Sequence, residues 1–210
     1  MEEDFASKKK LIDRLEHSSG VLKNPRIKEA FETVDRADFV FGDYKIEAYE
    51  DYALPMTEGS TISQPTIVAF MLELLDLQSG ESVLEVGSGS GFVLALMSYI
   101  VGEAGNVYGT EINTELLLFS DRNIQKYPEL SKRIHNMPAT GELGLIEDAP
   151  YDKILVSADL PEIPSELVGQ LTDGGILVCP VKGEMLRIQK KDDSYEVLQS
   201  FPGFSFVPVV

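Results

Sequence analysis

The chain has 210 residues, of which 43% are apolar; this length and composition suit one globular domain with its own core and exclude a disordered chain. It carries 35 acidic residues against 18 lysines and arginines, a formal net charge of −17, so neither nucleic acid nor an anionic membrane is expected as a main partner. The single cysteine, Cys179, permits no internal disulfide, and the sequence shows neither a secretory signal core nor a membrane-length apolar run, so we expect a cytoplasmic protein.

Residues 1–64 are predicted to form N-terminal helices followed by a long loop. The segments "SKKKLIDRLEH" (7–17) and "NPRIKEAFETV" (24–34) place apolar residues at helical spacing. In the second segment Asn24 is the expected N-cap and Pro25 the first helical residue. Residues 41–64 show no regular pattern but contain four aromatic residues, which indicates an ordered, functional loop.

Residues 65–210 alternate between predicted strands and predicted helices. The helical segments are "PTIVAFMLELL", "FVLALMSYI", "TELLLFSDRNIQKY" with Thr114 as its cap, and "IPSELVGQL". The strands are "SVLEVG", "NVYGTEI", "YDKILVSA", "GGILVCPV", a hairpin around Asp192–Ser194, and a terminal strand "FSFVPVV". This order predicts an α/β fold with a doubly wound, mostly parallel sheet, an antiparallel hairpin near the C-terminus and helices on both faces.

Three glycines follow the first strand of this region. Gly87, Gly89 and Gly91 stand at its carboxyl end, where open α/β sheets bind their ligands, and glycine lets a ligand approach the backbone closely. The spacing is G-x-G-x-G, which departs from the G-x-G-x-x-G of dinucleotide-binding proteins. A tight turn that binds no ligand is the alternative interpretation.

Two acids flank this glycine loop. Glu111 ends the second strand, 20 residues beyond Gly91, where a carboxylate can accept hydrogen bonds from both hydroxyls of a ribose. Glu85 precedes the loop and can attract an ammonium group. A solvated carboxylate at a strand end remains the alternative for Glu111. Together the acids and the loop favour S-adenosylmethionine over a nicotinamide dinucleotide.

Residues 54–92, "LPMTEGSTISQPTIVAFMLELLDLQSGESVLEVGSGSGF", resemble the protein-L-isoaspartate O-methyltransferase family. Further matching segments are "NPRIKEAFETVDRADFV", residues 141–181 and the closing "FVPVV". The resemblance covers about residues 20 to 210, and "TISQP" beside the glycine loop is its most specific part. It implies one methyltransferase domain over 1–210 with a Rossmann-like, seven-stranded sheet, in which 1–64 cover the substrate and 65–210 bind the cofactor.

The resemblance also implies an activity and a set of site residues. The family transfers a methyl group from S-adenosylmethionine to the carboxylate of isoaspartyl residues in damaged proteins and releases S-adenosylhomocysteine. Ser63 is then the catalytic residue, which holds the reacting carboxylate. The implied cofactor residues are Glu85, Gly87, Ser88, Gly89, Gly91, Glu111, Ile112, Thr140, Gly141 and Glu142. The implied substrate residues are Tyr49, Leu54, Pro55, Thr61 and Ile62.

The chain departs from the family pattern at several positions. Thr140 stands where an aspartate is usual at the adenine end of the cofactor, and neighbouring Glu142 is its candidate replacement. Ser60 and Thr66 flank "TISQP" where other residues are usual. Two alternatives stay open: a methyltransferase of this fold with a different acceptor, and a cofactor-binding homologue with weak or no catalysis. The expected partner is a peptide or protein carboxylate, with no nucleic acid or membrane, and the expected state is a monomer.

The remaining chemistry-bearing residues are assigned structural roles. His17 is predicted in a helix and His135 in a loop, without the spacing of a metal site, so no metal is expected. Cys179 lies within an apolar strand and is predicted to be core.

Overall fold

The computed structural model describes residues 2–57 and 59–208, with side chains described from residue 7 onward. The first helix, α1 (Glu2–Asp13), continues into a π-helical turn, and α2 (Pro25–Thr33) follows it. The predicted cap of α2 is confirmed, because the Asn24 side chain accepts a hydrogen bond of 2.9 Å from the Arg26 amide.

The segment predicted to be a loop contains short regular elements. Two 3₁₀ turns are followed by an antiparallel hairpin of β1 (Leu54–Pro55) and β2 (Thr61–Ile62). The turn between these strands is closed by hydrogen bonds between the backbones of Met56 and Ser60 and of Ser60 and Thr57. The 3₁₀ turns span Arg36–Phe39 and Gly42–Glu47.

The core is a seven-stranded sheet, as predicted. Its strands are β3 (Ser82–Val86), β4 (Asn106–Glu111), β5 (Ile134–Pro138), β6 (Tyr151–Val156), β7 (Leu171–Val181), β8 (Glu184–Lys191) and β9 (Ser194–Pro202). They lie in the order β5-β4-β3-β6-β7-β8-β9. The first five in this order pair in parallel, and the β7-β8 and β8-β9 pairs are antiparallel, with the predicted turn at Asp192–Ser194 between β8 and β9.

Helices pack on both faces of the sheet. They are α3 (Pro65–Leu75), α4 (Phe92–Val101), α5 (Thr114–Ile124), α6 (Pro128–Ser131) and α7 (Ser165–Gly169). Successive residues of each central strand enter opposite cores: Val83 joins the cluster that includes the N-terminal helices, and Leu84 joins the cluster under α7. Cys179 is fully buried in the second cluster, which confirms it as core, and burial raises the pKa of its thiol to about 12. Among the described helices none is long and apolar enough to cross a membrane.

Three predictions about local structure are wrong. His135 lies in β5 rather than in a loop, and its ring stacks on Tyr108 with centroids 5.0 Å apart. The polar sequence of β5 and its Pro138 lack the apolar pattern of a buried strand, because β5 is the edge of the sheet. The cap of α5 is Asn113 rather than Thr114, since the Asn113 side chain accepts from the amides of the next turn.

The third error concerns the C-terminus. No strand is formed at 203–207, and the next residue, Pro208, makes an isolated β-bridge with Asp159. The last two residues of the predicted strand, 209–210, lie outside the described residues. The segment makes separate backbone hydrogen bonds instead: the amides of Gly203 and Phe204 donate to the Gly183 carbonyl, and the Asp159 amide donates to the Val207 carbonyl.

A possible ligand group occurs at the end of α1, away from the features above. Carboxylate and imidazole atoms of Asp13, Glu16 and His17 converge to within 4.8 Å. Glu16 is already engaged, because the ammonium of Lys28 lies 2.6 Å from its Oε2. The prediction that no metal is bound therefore stays a prediction.

Candidate active site

A cleft of about 900 Å³ opens at the carboxyl ends of β3, β4 and β6. The β1–β2 hairpin covers one side, and residues 139–144 and 205–208 cover the others. Eight of the predicted site residues line it: Ser63, Gly87, Gly89, Glu111, Ile112, Gly141, Glu142 and Thr61. The cleft thus brings the "TISQP" segment and the glycine loop, far apart in sequence, to one cavity.

Glu111 fixes the glycine loop from the end of β4. Its Oε2 accepts a hydrogen bond of 2.8 Å from the Gly89 amide, and its Oε1 accepts one of 2.9 Å from the Asn113 amide. The carboxylate is 7% exposed and still lines the cleft. Because an ionised carboxylate offers about four acceptor positions, Glu111 retains the capacity to bind two further donors.

The glycines are required for two different reasons. Gly87, Gly89 and Gly91 all have positive φ angles, of 83°, 52° and 83°. A Cβ on Gly89 would stand 3.3 Å from Cε of Met56, which reaches over the loop from the hairpin. A Cβ on Gly91 would stand 2.3 Å from the Ser120 hydroxyl, so this glycine permits α4 and α5 to pack.

The loop is poorly suited to a pyrophosphate. The amides of Gly87 and Ser88 donate to the Thr110 carbonyl, and the Gly91 amide donates to the Ser88 carbonyl. With the Gly89 amide on Glu111, these donors are already used within the protein. No Lys, Arg or His stands among the described residues that line the cleft, whereas Glu111 and Glu142 do. The site therefore favours a cationic ligand over a phosphate.

Glu85 lies beneath this surface as a buried acid. It is 1% exposed; its Oε1 accepts a hydrogen bond of 2.8 Å from the Ser157 hydroxyl, and its Oε2 has no partner among the described residues. Burial, the largest cause, together with the charge of Glu111, raises the pKa of Glu85 to about 8, while the Ser157 hydrogen bond opposes the shift. A cation bound in the cleft would stabilise the ionised form of this carboxyl.

Ser63 lies between β2 and α3. Ser63 lines the cleft, and its carbonyl oxygen accepts a hydrogen bond of 3.1 Å from the guanidinium of Arg36. Thr66, three residues later, is bound to Asp51, with its amide 2.9 Å and its hydroxyl 2.6 Å from that carboxylate. Both sides of the "TISQP" segment are therefore anchored to the preceding loop.

Three predicted cofactor residues other than Glu85 do not line the cleft. The Ser88 side chain is buried and donates to Asn136 Oδ1 at 2.8 Å. Gly91 contacts α5, as described above. Thr140 is exposed. Glu142, two residues later, belongs to the lining, and the loop from Gly141 to Gly144 forms this wall of the cleft.

Four predicted substrate residues also lie outside the lining. Leu54 and Ile62 are buried in the core beneath the hairpin, and Pro55 is exposed on its outer side. The Tyr49 hydroxyl donates to Asp35 at 2.7 Å. These residues hold the covering segment in place rather than face the cavity, so of this group only Thr61 reaches the cleft.

Several residues that organise the site were missed by sequence reasoning. Gln170 is 5% exposed and fixes the cleft wall, since its Oε1 accepts from the Leu145 amide at 2.9 Å and its Nε2 donates to the Leu143 carbonyl at 2.8 Å. Asn136 joins the glycine loop to α5 through Ser88 and Ser120. Polar residues paired across 16 to 48 positions leave no periodic signal in the sequence.

This combination of a doubly wound sheet, a glycine loop held by an acid from the second strand and a cleft that favours a cation defines an S-adenosylmethionine-dependent methyltransferase. Among such enzymes the chain belongs to the protein-L-isoaspartate O-methyltransferase family. The family model described as protein-L-isoaspartate (D-aspartate) O-methyltransferase matches residues 6–210. The resemblance of the "TISQP" region is thereby confirmed at the level of the family.

Relatives and solved structures agree with this assignment. A protein-L-isoaspartate O-methyltransferase from Pyrobaculum arsenaticum is 43% identical over 83% of this chain and 84% of its own. One from Pyrococcus horikoshii is 39% identical over 96% of this chain and 92% of its own. A solved structure of the same description superposes with a TM-score of 0.87 at 28% identity over 97% of this chain and 66% of that one. A Plasmodium falciparum structure described with the same family name, in complex with S-adenosyl-L-homocysteine, gives 0.79 at 25% identity over 94% of this chain and 97% of that one.

Proposed function

We propose that the protein methylates the carboxylate of L-isoaspartyl residues in peptides or damaged proteins, with S-adenosylmethionine as the methyl donor. The observation that carries this proposal is that Ser63 and the Glu111-bound glycine loop line the same cleft. The two relatives named above carry the corresponding enzyme name, and this chain matches 84% and 92% of their lengths.

The residues of the cleft fit the cofactor. Glu111 has acceptor positions free for ribose hydroxyls. The Oε2 of Glu85, which has no partner among the described residues, can carry a negative charge once the bound cationic cofactor stabilises the ionised form of this carboxyl. Gly87 and Gly89 leave room for close approach to the backbone. Glu142 lines the cleft and Thr140 does not, so Glu142 is the acid that would replace the usual aspartate at the adenine end.

The chemistry demands positioning more than acid–base catalysis. A carboxylate is ionised near neutral pH and can act as a nucleophile without losing a proton to the enzyme. The bound cofactor supplies an electrophilic methyl group on a sulfonium ion. Ser63 donates a hydrogen bond that orients the acceptor carboxylate. The β1–β2 hairpin and residues 205–208 line the cleft, where they reduce the space open to water once the ligands are bound.

The structure weakens one motive for a different acceptor. Thr66, an unusual residue after "TISQP", binds Asp51 and is not among the lining residues, so it does not reshape the substrate side. Ser60 does line the cleft and keeps the question of acceptor range open to experiment. The monomeric state and the cytoplasmic location stay predictions.

The test is methyl transfer from labelled S-adenosylmethionine to two peptides of identical sequence, one with an L-isoaspartyl and one with an aspartyl residue. We expect a base-labile methyl ester on the isoaspartyl peptide alone. Small carboxylates, amines and alcohols assayed alongside separate this function from transfer to another acceptor. Preference for one of these small acceptors, or equal labelling of both peptides, would contradict the proposal.

A further inference from the structure

Arg36 is a buried cation next to the cleft. It is 3% exposed, and its guanidinium donates to three backbone carbonyls: Ala48 at 2.6 Å, Tyr52 at 3.3 Å and Ser63 at 3.1 Å. Its Nε is buried without a partner among the described residues. Arg36 therefore connects the first 3₁₀ turn to both ends of the loop that carries the hairpin.

The charge of Arg36 is not neutralised by a direct ion pair with any described residue. Asp51 is the acid that influences it most, and that carboxylate is committed to Thr66 through two hydrogen bonds. Burial is the largest influence on the guanidinium and lowers its pKa to about 10, against the raising effect of Asp51, so Arg36 is charged at neutral pH. Burial of a cation is costly unless hydrogen bonds or an anion compensate for the lost hydration.

Charges of both signs therefore border the cleft. Glu111 and Glu142 line the cleft and supply negative potential for the cationic cofactor. The positive charge of Arg36 is held next to Ser63, because its guanidinium donates to the carbonyl of this cleft-lining residue. An acceptor carboxylate near Ser63 would supply the anion that Arg36 lacks.

We infer that Arg36 is a positioning residue for the acceptor: it fixes the backbone of Ser63 and supplies the positive potential that holds the substrate carboxylate. This inference rests on the proposed function. Two contributions are separable, since the forked guanidinium holds three carbonyls at once, whereas the charge alone attracts the carboxylate.

The experiment compares Arg36→Met and Arg36→Lys in the full-length chain, using an isoaspartyl peptide as acceptor and S-adenosylhomocysteine as the calorimetric probe of the cofactor site. Loss of the charge in Arg36→Met is expected to raise KM for the peptide about tenfold, while the affinity for S-adenosylhomocysteine changes less than about twofold. Arg36→Lys keeps the charge, so it recovers most of that KM but retains a lowered kcat. Arg187→Met is the matched control, because Arg187 also donates to a carbonyl, that of Leu74 at 2.7 Å, and neither residue is among those that line the cleft.

Asp51→Asn tests the electrostatic part without altering Arg36. Asparagine keeps an acceptor for the Thr66 amide but removes the negative charge nearest to the guanidinium. The KM for the peptide is expected to fall about twofold. This arm remains informative if Arg36→Met does not fold, since a rise in KM would contradict the electrostatic role.

The outcomes distinguish this inference from the proposed function. A wild-type protein that does not methylate the isoaspartyl peptide overturns both. An active wild-type protein with unchanged kinetics in Arg36→Met overturns the inference alone. If Arg36→Met weakens S-adenosylhomocysteine binding as much as it raises the KM for the peptide, Arg36 merely supports the fold. That result overturns the inference as well.

Discussion

Replacement of Glu111 by glutamine tests the cofactor site in the most quantitative way. Glutamine offers one carbonyl oxygen, whereas Glu111 uses both of its oxygens to accept from the Gly89 and Asn113 amides. One backbone amide would then face the side-chain NH₂, which costs about 1–3 kcal/mol of folding free energy. Lost charge-assisted hydrogen bonds to the ribose are expected to weaken S-adenosylhomocysteine binding by about 1.5–3 kcal/mol, or tenfold to a hundredfold.

The assay is calorimetric titration with S-adenosylhomocysteine, with a thermal melt of the ligand-free protein beside it. For a chain of this size about 1 kcal/mol lowers Tm by about 2–4 °C, so the folding cost is measurable separately. Glu115→Gln is the matched control, because Glu115 is an exposed acid only four positions away. A lowered Tm with unchanged affinity would show that Glu111 supports the loop but does not hold the ribose.

Three further predictions concern neighbouring residues. Ser63→Ala is expected to lower kcat about tenfold or more while S-adenosylhomocysteine affinity stays near the wild-type value, and the reverse pattern in the same two assays would place Ser63 outside the acceptor side. Gly91→Ala is expected to lower the free energy of unfolding by about 2–4 kcal/mol in denaturant titration, because Gly91 has a positive φ and an added Cβ would stand 2.3 Å from the Ser120 hydroxyl. Gly20→Ala should cost clearly less, because Gly20 has a positive φ but open space around it. Equal losses would contradict the packing role of Gly91. The pKa of Glu85 is raised to about 8, so the folded chain keeps a proton that the unfolded chain loses above the ordinary pKa of 4.5. The free energy of unfolding should therefore fall as pH rises from 4.5 to about 8. If the same pH dependence persists in Glu85→Gln, it does not come from Glu85.

The sequence predicted those parts of the fold that depend on local pattern. The glycine loop and Glu111 could be located because three glycines after a buried strand, and an acid after the next, are recognisable without knowledge of distant contacts. Strand β5 was missed since an edge strand with Asn136 and Pro138 has no apolar face to reveal it. The C-terminal segment was mistaken for a strand, because "FSFVPVV" alternates like one, whereas its residues 205–208 line the cleft.

The support of the site could not be predicted for a different reason. Arg36 and Gln170 act through hydrogen bonds to backbone carbonyls and amides that any residue type can supply. Such contacts depend on where the chain folds back and not on the identity of the partner side chain. What distinguishes Arg36 and Gln170 is that their polar side chains are buried, and burial of a polar residue is visible only in the structure.

The measurement that tests the central claim most directly is a crystal structure of the protein with S-adenosylhomocysteine. The account predicts ribose hydroxyls within about 2.6–3.0 Å of the Glu111 carboxylate and the sulfur directed toward the Ser63 side of the cleft. A ligand bound elsewhere, or one whose sulfur faces away from Ser63, would contradict the assignment of this cleft as the site of methyl transfer.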